Sequence, residues 1–264
     1  MVIEHITDPS DPRIHVYRNL KDKDLRRDGA FIVEGKFILE TLLTRSWFKT
    51  MSVFISEDRL VPLKDILNNV PTDIPIYATS AAIMAQIAGY DVHRGILAAG
   101  LTGLSVGNLP ANLTKLKSLA VLSNISNPDN VGAIFRNAAG LGIDAVLLDR
   151  QCCSPLYRKA IRVSMGATLV LPWVQNGSIE DIIQQLRNAD FGIYALSLQG
   201  ATKLEEMQFE RQSAFVFGEE AHGLPLQVQY LCKAITIPMA NGTDSLNVAA
   251  TSAIVFDAVR RQQL

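Results

Sequence analysis

Apolar segments that alternate with helical segments constrain the fold of the C-terminal part more than any other feature of the chain. Each segment is short and almost continuously apolar, which is typical of a strand buried on both faces of a parallel sheet. The predicted strands are "SLAVLSNI", "AVLLD", "ATLVLPWV", "FGIYALSL", "SAFVFG" and "AITIPM". Helical segments lie between them, and a further helix follows the last strand. The pattern therefore predicts an α/β domain with a parallel sheet.

The N-terminal part predicts a second, smaller α/β domain. Amphipathic segments such as "GKFILETLLTR" alternate there with strand-like segments such as "AFIVEG" and "TMSVFIS". Residues 99–114 are rich in Gly, Asn, Pro and Thr, which favours a domain boundary. We accordingly expect a first domain over residues 1–104, a linker over 105–114 and a second domain over 115–264.

Three loops of the second domain are expected to form its ligand site. They are "SNPDN" at 126–130, "GEEAHGLP" at 218–225 and "MANGTDSLN" at 239–247, and each lies between a predicted strand and a predicted helix. The carboxyl ends of parallel strands share one edge of the sheet, where ligands bind. Backbone N–H groups and helix N-termini at that edge suit an anionic or polar ligand.

Several kinds of chemistry have no motif in the sequence. It contains no Gly-x-Gly-x-x-Gly after a strand, no phosphate-binding Gly-x-x-x-x-Gly-Lys motif and no Gly-x-Ser-x-Gly turn. Four scattered histidines and three cysteines without metal-binding spacing predict neither a metal site nor a disulfide framework. No apolar run approaches the roughly 20 residues that span a bilayer. We expect a cytoplasmic protein with no metal and no membrane contact.

Single residues at these loops also have structural interpretations. Asn130 is a candidate N-cap of the helix that follows it, and Asp244 or Ser245 is a candidate cap of the last helix. Arg136 is unusual, because it lies among alanines and glycines in the segment "NVGAIFRNAAGLG". The net charge of −1 gives no indication of a nucleic-acid partner, so such a partner has to be inferred from local basic segments.

Taken together, the three loops resemble a known family. "NPDNVGAIFRNAAGLG", "FGEEAHGL" and "IPMANGTDSLNVAATSAI" are similar to the three signature motifs of the SpoU (TrmH-like) branch of the SPOUT RNA methyltransferases, in the family's order. The likeness covers residues 117 to 264. "FIVEGKFILETLL" and "HRGILAAG" resemble the ribosomal-protein-like module that serves many relatives as an RNA-binding domain.

The resemblance implies a fold, an activity and a set of site residues. It implies a deep trefoil knot, S-adenosylmethionine as cofactor, a homodimer, and methylation of a ribose 2′-hydroxyl in ribosomal RNA or, alternatively, transfer RNA. The family's functional residues fall on positions of this sequence in two groups. The catalytic positions are Asn130, Arg136, Glu220, Ser245 and Asn247, and the cofactor-binding positions are Gly218, Ile237 and Leu246.

Three points stay open at this stage. Glu219 departs from the family pattern, in which a neutral residue is frequent, so Glu219 and Glu220 compete for the motif's role, and the spacing to the second glycine favours Glu220. A dinucleotide-dependent oxidoreductase and a catalytically silent RNA-binding protein are the rival classes of function.

The last helix has an apolar stripe that favours a dimer, formed by Leu246, Ala249, Ala253, Phe256 and Val259. The expected RNA contacts are basic residues of two segments. The basic residues are Arg13, Arg18, Lys21, Arg26, Arg27, Arg158, Lys159 and Arg162.

Overall fold

A computed structural model gives the structure of residues 2–18, 20, 25, 29–103, 113–198, 202–219, 223–242 and 244–263. The chain divides into two compact units. The first unit comprises Met1–Ser105 together with Leu156–Val170, and the second comprises Val106–Pro155 with Leu171–Leu264. The predicted boundaries differ from these units in one segment, because residues 156–170 had been expected in the second domain.

The first unit contains a mixed sheet of five strands in the order β1-β4-β3-β5-β2. β5 is antiparallel to both β2 and β3, whereas β4 is parallel to β1 and β3. β1, which sequence analysis missed, is only three residues long. The strands are β1 (Ile3–His5), β2 (Ala30–Glu34), β3 (Lys49–Ser56), β4 (Ile76–Thr79) and β5 (Ile96–Leu101).

In the described part of Met1–Ser105, three helices accompany the sheet of the first unit: α1 (Lys36–Thr44), α2 (Lys64–Leu67) and α3 (Ala81–Ala88). In the segment around Pro62 only α2 and a short 3-10 turn form. A proline inside a helix removes a backbone donor, which accounts for the interruption. The core of this unit includes Tyr17, whose hydroxyl bonds to Ser52 and accepts from the Ala99 backbone.

The second unit contains seven strands that are parallel throughout, in the order β10-β12-β9-β11-β6-β7-β8. The predicted parallel α/β sheet is therefore confirmed. Central strands β6 and β11 are buried at every position, as near-continuous apolar sequence requires. The strands are β6 (Ser118–Leu122), β7 (Ala145–Leu148), β8 (Trp173–Gln175), β9 (Gly192–Leu196), β10 (Thr202–Lys203), β11 (Ser213–Phe217) and β12 (Lys233–Thr236).

Five further helices lie in the rest of the described chain, and all but the second of them belong to the second unit. They are α4 (Pro128–Leu141), α5 (Arg158–Val163), α6 (Ile179–Asn188), α7 (Leu226–Tyr230) and α8 (Val248–Gln263). α4 and α8 pack on each other, and Asn137 of α4 donates to the Ala249 carbonyl and to Ser252 of α8. Three residues of the stripe expected at a dimer interface, Ala249, Phe256 and Val259, are instead buried within the protomer.

The segment "ATLVLPWV" was wrongly predicted to be one strand. Ala167–Leu169 forms a 3-10 turn, and β8 begins only at Trp173. A short apolar run does not distinguish a strand from a buried turn, and here Thr168 and Leu169 are fully buried in the turn. Within the first unit, the indole and backbone N–H groups of Trp47 donate to the carbonyls of Val170 and Leu169 respectively.

Candidate active site

A cavity of about 690 Å³ lies at the carboxyl edge of the sheet in the second unit. Its lining comes from the ends of β9, β11 and β12, from the loop after β12 and from the start of α8. Five predicted site residues line it: Gly218, Ile237, Ser245, Leu246 and Asn247. Residues that are far apart in sequence thus meet at the edge where ligands of parallel sheets bind.

Gly218 sits where the backbone folds tightly back on itself. A Cβ at this position would lie 2.5 Å from the Gly223 carbonyl carbon and 2.6 Å from the Leu224 nitrogen. The Gly223 N–H donates to the Glu219 carbonyl, which closes the turn. Glycine is therefore required by the close approach of two backbone segments at the cavity wall.

Asn130 and Asn247 connect the first turn of α4 to the start of α8. Asn247 Nδ2 donates to Asn130 Oδ1 at 3.0 Å, while Asn247 Oδ1 accepts from the backbone N–H groups of Ala249 and Ala250. Asn247 is thus the cap of the last helix, and the proposed caps Asp244 and Ser245 were wrong. The N-cap of α4 is Asn127, so the predicted capping role of Asn130 was wrong as well.

The nitrogen of the Asn130 side-chain amide is buried without a partner in the described residues. The residue is only 5% exposed, and its Nδ2 has no hydrogen-bond partner among the described residues. A buried donor without a partner is costly, by about 1–3 kcal/mol. Such a donor next to a cavity is suited to an acceptor oxygen brought by a ligand.

Arg136 is exposed on α4. Within the described part of the chain it makes no hydrogen bond or ion pair through its side chain, although exposed arginines such as Arg13 and Arg260 have carboxylate partners. Its guanidinium therefore keeps its fork of donors available for an anionic ligand.

Of the two glutamates in the second motif, only Glu219 lies within the described residues. Glu220 lies outside the described residues, so its predicted role stays a prediction. Glu219 lines the cavity, and its carboxylate accepts a hydrogen bond from Asn124 Nδ2. Asn124 has a positive φ of 55° and follows β6 directly. Sequence analysis missed Asn124, although an asparagine after a buried strand is a recognised signal for this conformation.

Asp149, a second residue that sequence analysis missed, fixes the loop that carries Asn124. Its buried carboxylate accepts from Ser123 Oγ and from three backbone N–H groups, those of Asn124, Gln151 and Cys152. The aspartate ends the predicted strand "AVLLD", at the same sheet edge as the site. The loop between β6 and α4 is therefore held in one conformation before any ligand binds.

Thiol and metal chemistry find no support in the described residues. Burial raises the pKa of the Cys152 thiol far above its ordinary range, and burial also raises the pKa of Cys232 to about 11. A thiol nucleophile needs a lowered pKa. No group of His, Cys, Asp and Glu side chains in the described part of the chain is arranged to hold a metal ion.

The predicted RNA-binding residues are not brought together as the active-site residues are. Arg13 is paired with Glu4 and Asp11, and Arg18 donates to the Asp11 carbonyl. Arg158 stacks on Tyr90, donates to its hydroxyl at 2.8 Å and also donates to the Leu20 carbonyl. Arg162 and Lys159 are exposed on α5. Lys21, Arg26 and Arg27 lie outside the described residues.

A different basic surface occurs in the first unit. A hollow of about 330 Å³ is lined by Lys36, Arg59, His93 and Arg94 together with the apolar residues Phe37, Pro62, Leu63 and Ile96. The Phe37 side chain is 61% exposed. Arg59 is paired with Asp58 at 3.3 Å, and His93 lies 3.8 Å from Asp91. We call these eight lining residues the basic hollow.

Comparison with known proteins gives one family and a set of full-length relatives. The family model described as the SpoU rRNA Methylase family matches residues 117–257. A protein of Mycobacterium tuberculosis named as an uncharacterized tRNA/rRNA methyltransferase is 36% identical, over 96% of this chain and 90% of its own length. The 23S rRNA (guanosine-2′-O-)-methyltransferase RlmB of Escherichia coli K12 is 26% identical, over 88% and 98% respectively.

Solved structures share the whole fold. An S-adenosylmethionine-bound rRNA methyltransferase from Sinorhizobium meliloti superposes with a TM-score of 0.82, over 99% of both chains at 19% identity. A structure described as an RNA 2′-O ribose methyltransferase gives a TM-score of 0.81 at 21% identity, over 98% of this chain and 99% of its own. These likenesses extend across both units.

Proposed function

Because this chain belongs to the SpoU rRNA methylase family, we propose that it transfers a methyl group from S-adenosylmethionine to a ribose 2′-hydroxyl of RNA. Ribosomal RNA is the substrate class we favour, and transfer RNA is the alternative. The observation that carries the proposal is the meeting of Gly218, Ile237, Ser245, Leu246 and Asn247 at one cavity. Asn130 joins them through its hydrogen bond to Asn247.

The residues around the cavity fit S-adenosylmethionine. Its volume of about 690 Å³ falls within the usual range of roughly 300–1,000 Å³ for small-molecule sites. Apolar side chains such as Leu196, Leu226 and Ile235 suit an adenine ring. The ends of β11 and β12 and the start of α8 offer backbone groups for its polar edges. Bound there, the cofactor supplies an electrophilic methyl group on a sulfonium.

Arg136 and Asn130 are the groups we assign to the RNA side of the reaction. Arg136 binds an RNA phosphate and stabilises the negative charge that develops on the ribose oxygen. The unpartnered Asn130 Nδ2 orients an acceptor oxygen of the substrate, and Ser245 and Asn247 position the ribose or the cofactor. Glu220 orients Arg136 or Asn130, or balances the sulfonium charge of the cofactor. Alignment of the reacting groups supplies much of the rate acceleration, up to about 7–11 kcal/mol in model systems.

The 2′-hydroxyl proton has no obvious acceptor among these residues. Arginine stays protonated in proteins because its pKa exceeds about 12, so Arg136 is a poor general base. We infer that the proton leaves late in the reaction, to phosphate or to water. In that case Arg136 acts by stabilising charge, and its removal lowers turnover at every pH.

We also propose a homodimer formed through α4 and α8. Support comes from small and apolar side chains that stay exposed on this helix pair, namely Ala139, Ala250 and Ile254, the last at 42% exposure. A second copy on this surface would enclose Arg136. Sedimentation of the full chain tests the idea: we expect a dimer, and Ile254→Glu should dissociate it. A monomeric wild-type protein would contradict the proposal.

RNA recognition is assigned to the first unit. Two cations of the basic hollow, Lys36 and Arg94, have no ion-pair partner in the described residues, and an exposed Phe37 lies beside them. Cations that bind phosphates, together with an aromatic face for a base, are the usual components of a single-stranded RNA site.

We further propose a trefoil knot in the second domain, the domain boundaries expected from the sequence, and a cytoplasmic location. No helix in the described residues is long and apolar enough to span a membrane.

One experiment separates the proposed activity from its rivals. Purified protein is incubated with tritiated S-adenosylmethionine and either unmodified ribosomal RNA or unmodified transfer RNA, and the modified ribose is then mapped. We expect 2′-O-methylation of ribosomal RNA without added metal. Labelling of transfer RNA alone would identify transfer RNA as the substrate. Tight RNA binding without any labelling would favour a catalytically silent RNA-binding protein. Binding of a nicotinamide dinucleotide instead of S-adenosylmethionine would favour an oxidoreductase.

A further inference from the structure

Glu219 is the one charged residue among the described residues that line the cavity. It follows Gly218 at the end of β11, and its backbone pairs with Gly223 across the tight turn. Its carboxylate is held by the Asn124 amide. The position is therefore fixed on both sides, by the turn and by the loop after β6.

The surroundings of Glu219 strengthen its attraction for a cation. No Lys, Arg or His is among the described lining residues, and apolar side chains such as Leu224, Ile237 and Met239 form much of the wall. A charge in a concave, weakly polar site acts on a ligand more strongly than it would in open water. Among the described lining residues the cavity thus carries one negative charge and no positive charge.

The hydrogen bond to Asn124 indicates which end of the cavity Glu219 occupies. Asn124 belongs to the loop that leads into α4, and α4 carries Asn130 and Arg136. Glu219 therefore stands at the end where the methyl group has to meet the ribose. This assignment rests on the function proposed above.

We propose that Glu219 determines cofactor specificity by charge, so that the cavity favours S-adenosylmethionine over its demethylated product. Before transfer, Glu219 faces a ligand that carries a sulfonium charge. During transfer the sulfur–methyl bond breaks with its electron pair left on sulfur, the new oxygen–methyl bond forms, and the hydroxyl proton leaves. Afterwards Glu219 faces a neutral thioether, so the attraction is lost and product release is favoured.

Glu219 acts on the bound ground state more than on the transition state, because the sulfonium charge decreases as the methyl group moves. Removal of its charge should therefore raise the KM for S-adenosylmethionine more than it lowers kcat. Removal of a residue that stabilised the transition state would instead lower kcat more than it raised KM. Inhibition by the product should also become stronger relative to cofactor binding.

The test compares the substitution Glu219→Gln in the full chain with one matched control and with the neighbouring glutamate Glu220. Glutamine keeps an oxygen that accepts from Asn124 while it removes the charge. Calorimetry measures the affinity for S-adenosylmethionine, for its demethylated product and for an unreactive analogue in which an amine replaces the methylated sulfur. We expect an about 10-fold loss for the two cationic ligands and a change within about twofold for the product. Glu205→Gln, which changes an exposed carboxylate outside the cavity, should not alter this preference, and Glu220→Gln is measured beside it as the rival position for the charge.

Several outcomes would overturn the inference. If the affinities for cofactor and product change equally, or if neither changes, Glu219 does not discriminate between the two ligands by charge. A selective loss in Glu220→Gln alone would move the role to Glu220. If Glu219→Gln fails to fold, the salt dependence of the wild-type protein decides: the affinity for the cofactor should fall with added salt while that for the product holds, and parallel curves refute the inference. Wild-type protein that binds neither ligand contradicts the proposed function itself.

Discussion

The cavity of the second unit and the basic hollow of the first unit are built for different ligands. The cavity has about twice the volume, 690 against 330 Å³, and in the described residues its lining carries a single carboxylate and no cation. The hollow has three permanent cations, Lys36, Arg59 and Arg94, beside an exposed aromatic ring. The first arrangement suits a small cationic cofactor, whereas the second suits a polyanion with exposed bases.

The two sites also differ in how firmly their groups are held. At the cavity, Asn130, Asn247 and Glu219 are fixed by hydrogen bonds to one another or to the adjoining loop. At the hollow, Lys36 and Arg94 are exposed and have no ion-pair partner in the described residues. Chemistry requires reacting groups to be positioned in advance, whereas phosphate binding tolerates mobile point charges. We infer that catalysis belongs to the cavity and RNA capture to the hollow.

The largest effect expected at the catalytic side is that of Arg136→Ala. Turnover should fall on the order of 100-fold or more, as happens when an electrostatic donor to the transition state is lost. Stability and cofactor affinity should change little, because alanine is the best helix former and the cofactor is assigned to Gly218, Ile237 and Leu246. Single-turnover methyl transfer, calorimetry and thermal melting measure the three quantities.

Two variants serve as controls for Arg136. Arg136→Lys should rescue poorly, because a point charge does not reproduce a planar fork of donors. Arg211 is exposed just before β11, at the opposite edge of the sheet, and Arg211→Ala should leave turnover within about twofold. Wild-type turnover in Arg136→Ala would return this arginine to a surface role.

The second effect concerns the wall of the cavity. Gly218→Ala places a Cβ within 2.7 Å of three backbone atoms, which are not free to move as a side chain would. We expect cofactor affinity to fall by more than about 10-fold and stability to fall by about 1–3 kcal/mol, as for other overpacked sites. Calorimetry and chemical denaturation measure these changes.

Gly142→Ala is the matched control for Gly218. Gly142 ends α4 with a positive φ of 81° and has open space around it, so alanine strains the backbone without reaching the cavity. It should lower stability while cofactor affinity holds. Equal losses of affinity in both variants would mean that general destabilisation, not the shape of the turn, explains the result.

The third effect tests the RNA side of the comparison. The double variant Lys36→Ala/Arg94→Ala should weaken binding of unmodified ribosomal RNA by about 10-fold at moderate salt, with a shallower salt dependence by roughly one to two released ions. Arg13→Ala should have a much smaller effect, because Arg13 is already paired with Glu4 and Asp11. Filter binding over a salt series measures both. A larger loss in Arg13→Ala would reverse the assignment.

The cavity was predictable from sequence because parallel strands impose a geometry. Once β11 and β12 are identified, Gly218 and Ile237 have to lie at one edge, and the same argument brings Ser245 and Asn247 there. The detailed contacts were not predictable. Asn247 was assigned to the site, but its role as the cap of α8 and as the donor to Asn130 depends on how α4 and α8 pack.

The basic hollow was not predictable for a related reason. Lys36, Arg59 and Arg94 come from three distant positions, and none has a motif of its own. The cluster around Arg13 looked more promising because its basic residues lie close together in sequence, yet Asp11 and Glu4 neutralise that arginine. The segment 156–170 joined the first unit through contacts such as those of Arg158 with Tyr90, which also span a long stretch of sequence.

The smallest effect expected tests whether Arg13 is held within the first unit. Hydrogen bonds from Arg13 lower the pKa of Asp11 from 3.8 to about 2. A carboxyl whose pKa is lower in the folded protein contributes stability above its unfolded value, and the contribution is lost as the pH falls from about 4 through about 2. The melting temperature of the wild-type protein should therefore decline more steeply in this window than that of Asp11→Asn. The difference should be small because the pair is in contact with water. Parallel melting curves would mean that Arg13 is free, and the RNA-binding comparison would then have to include it.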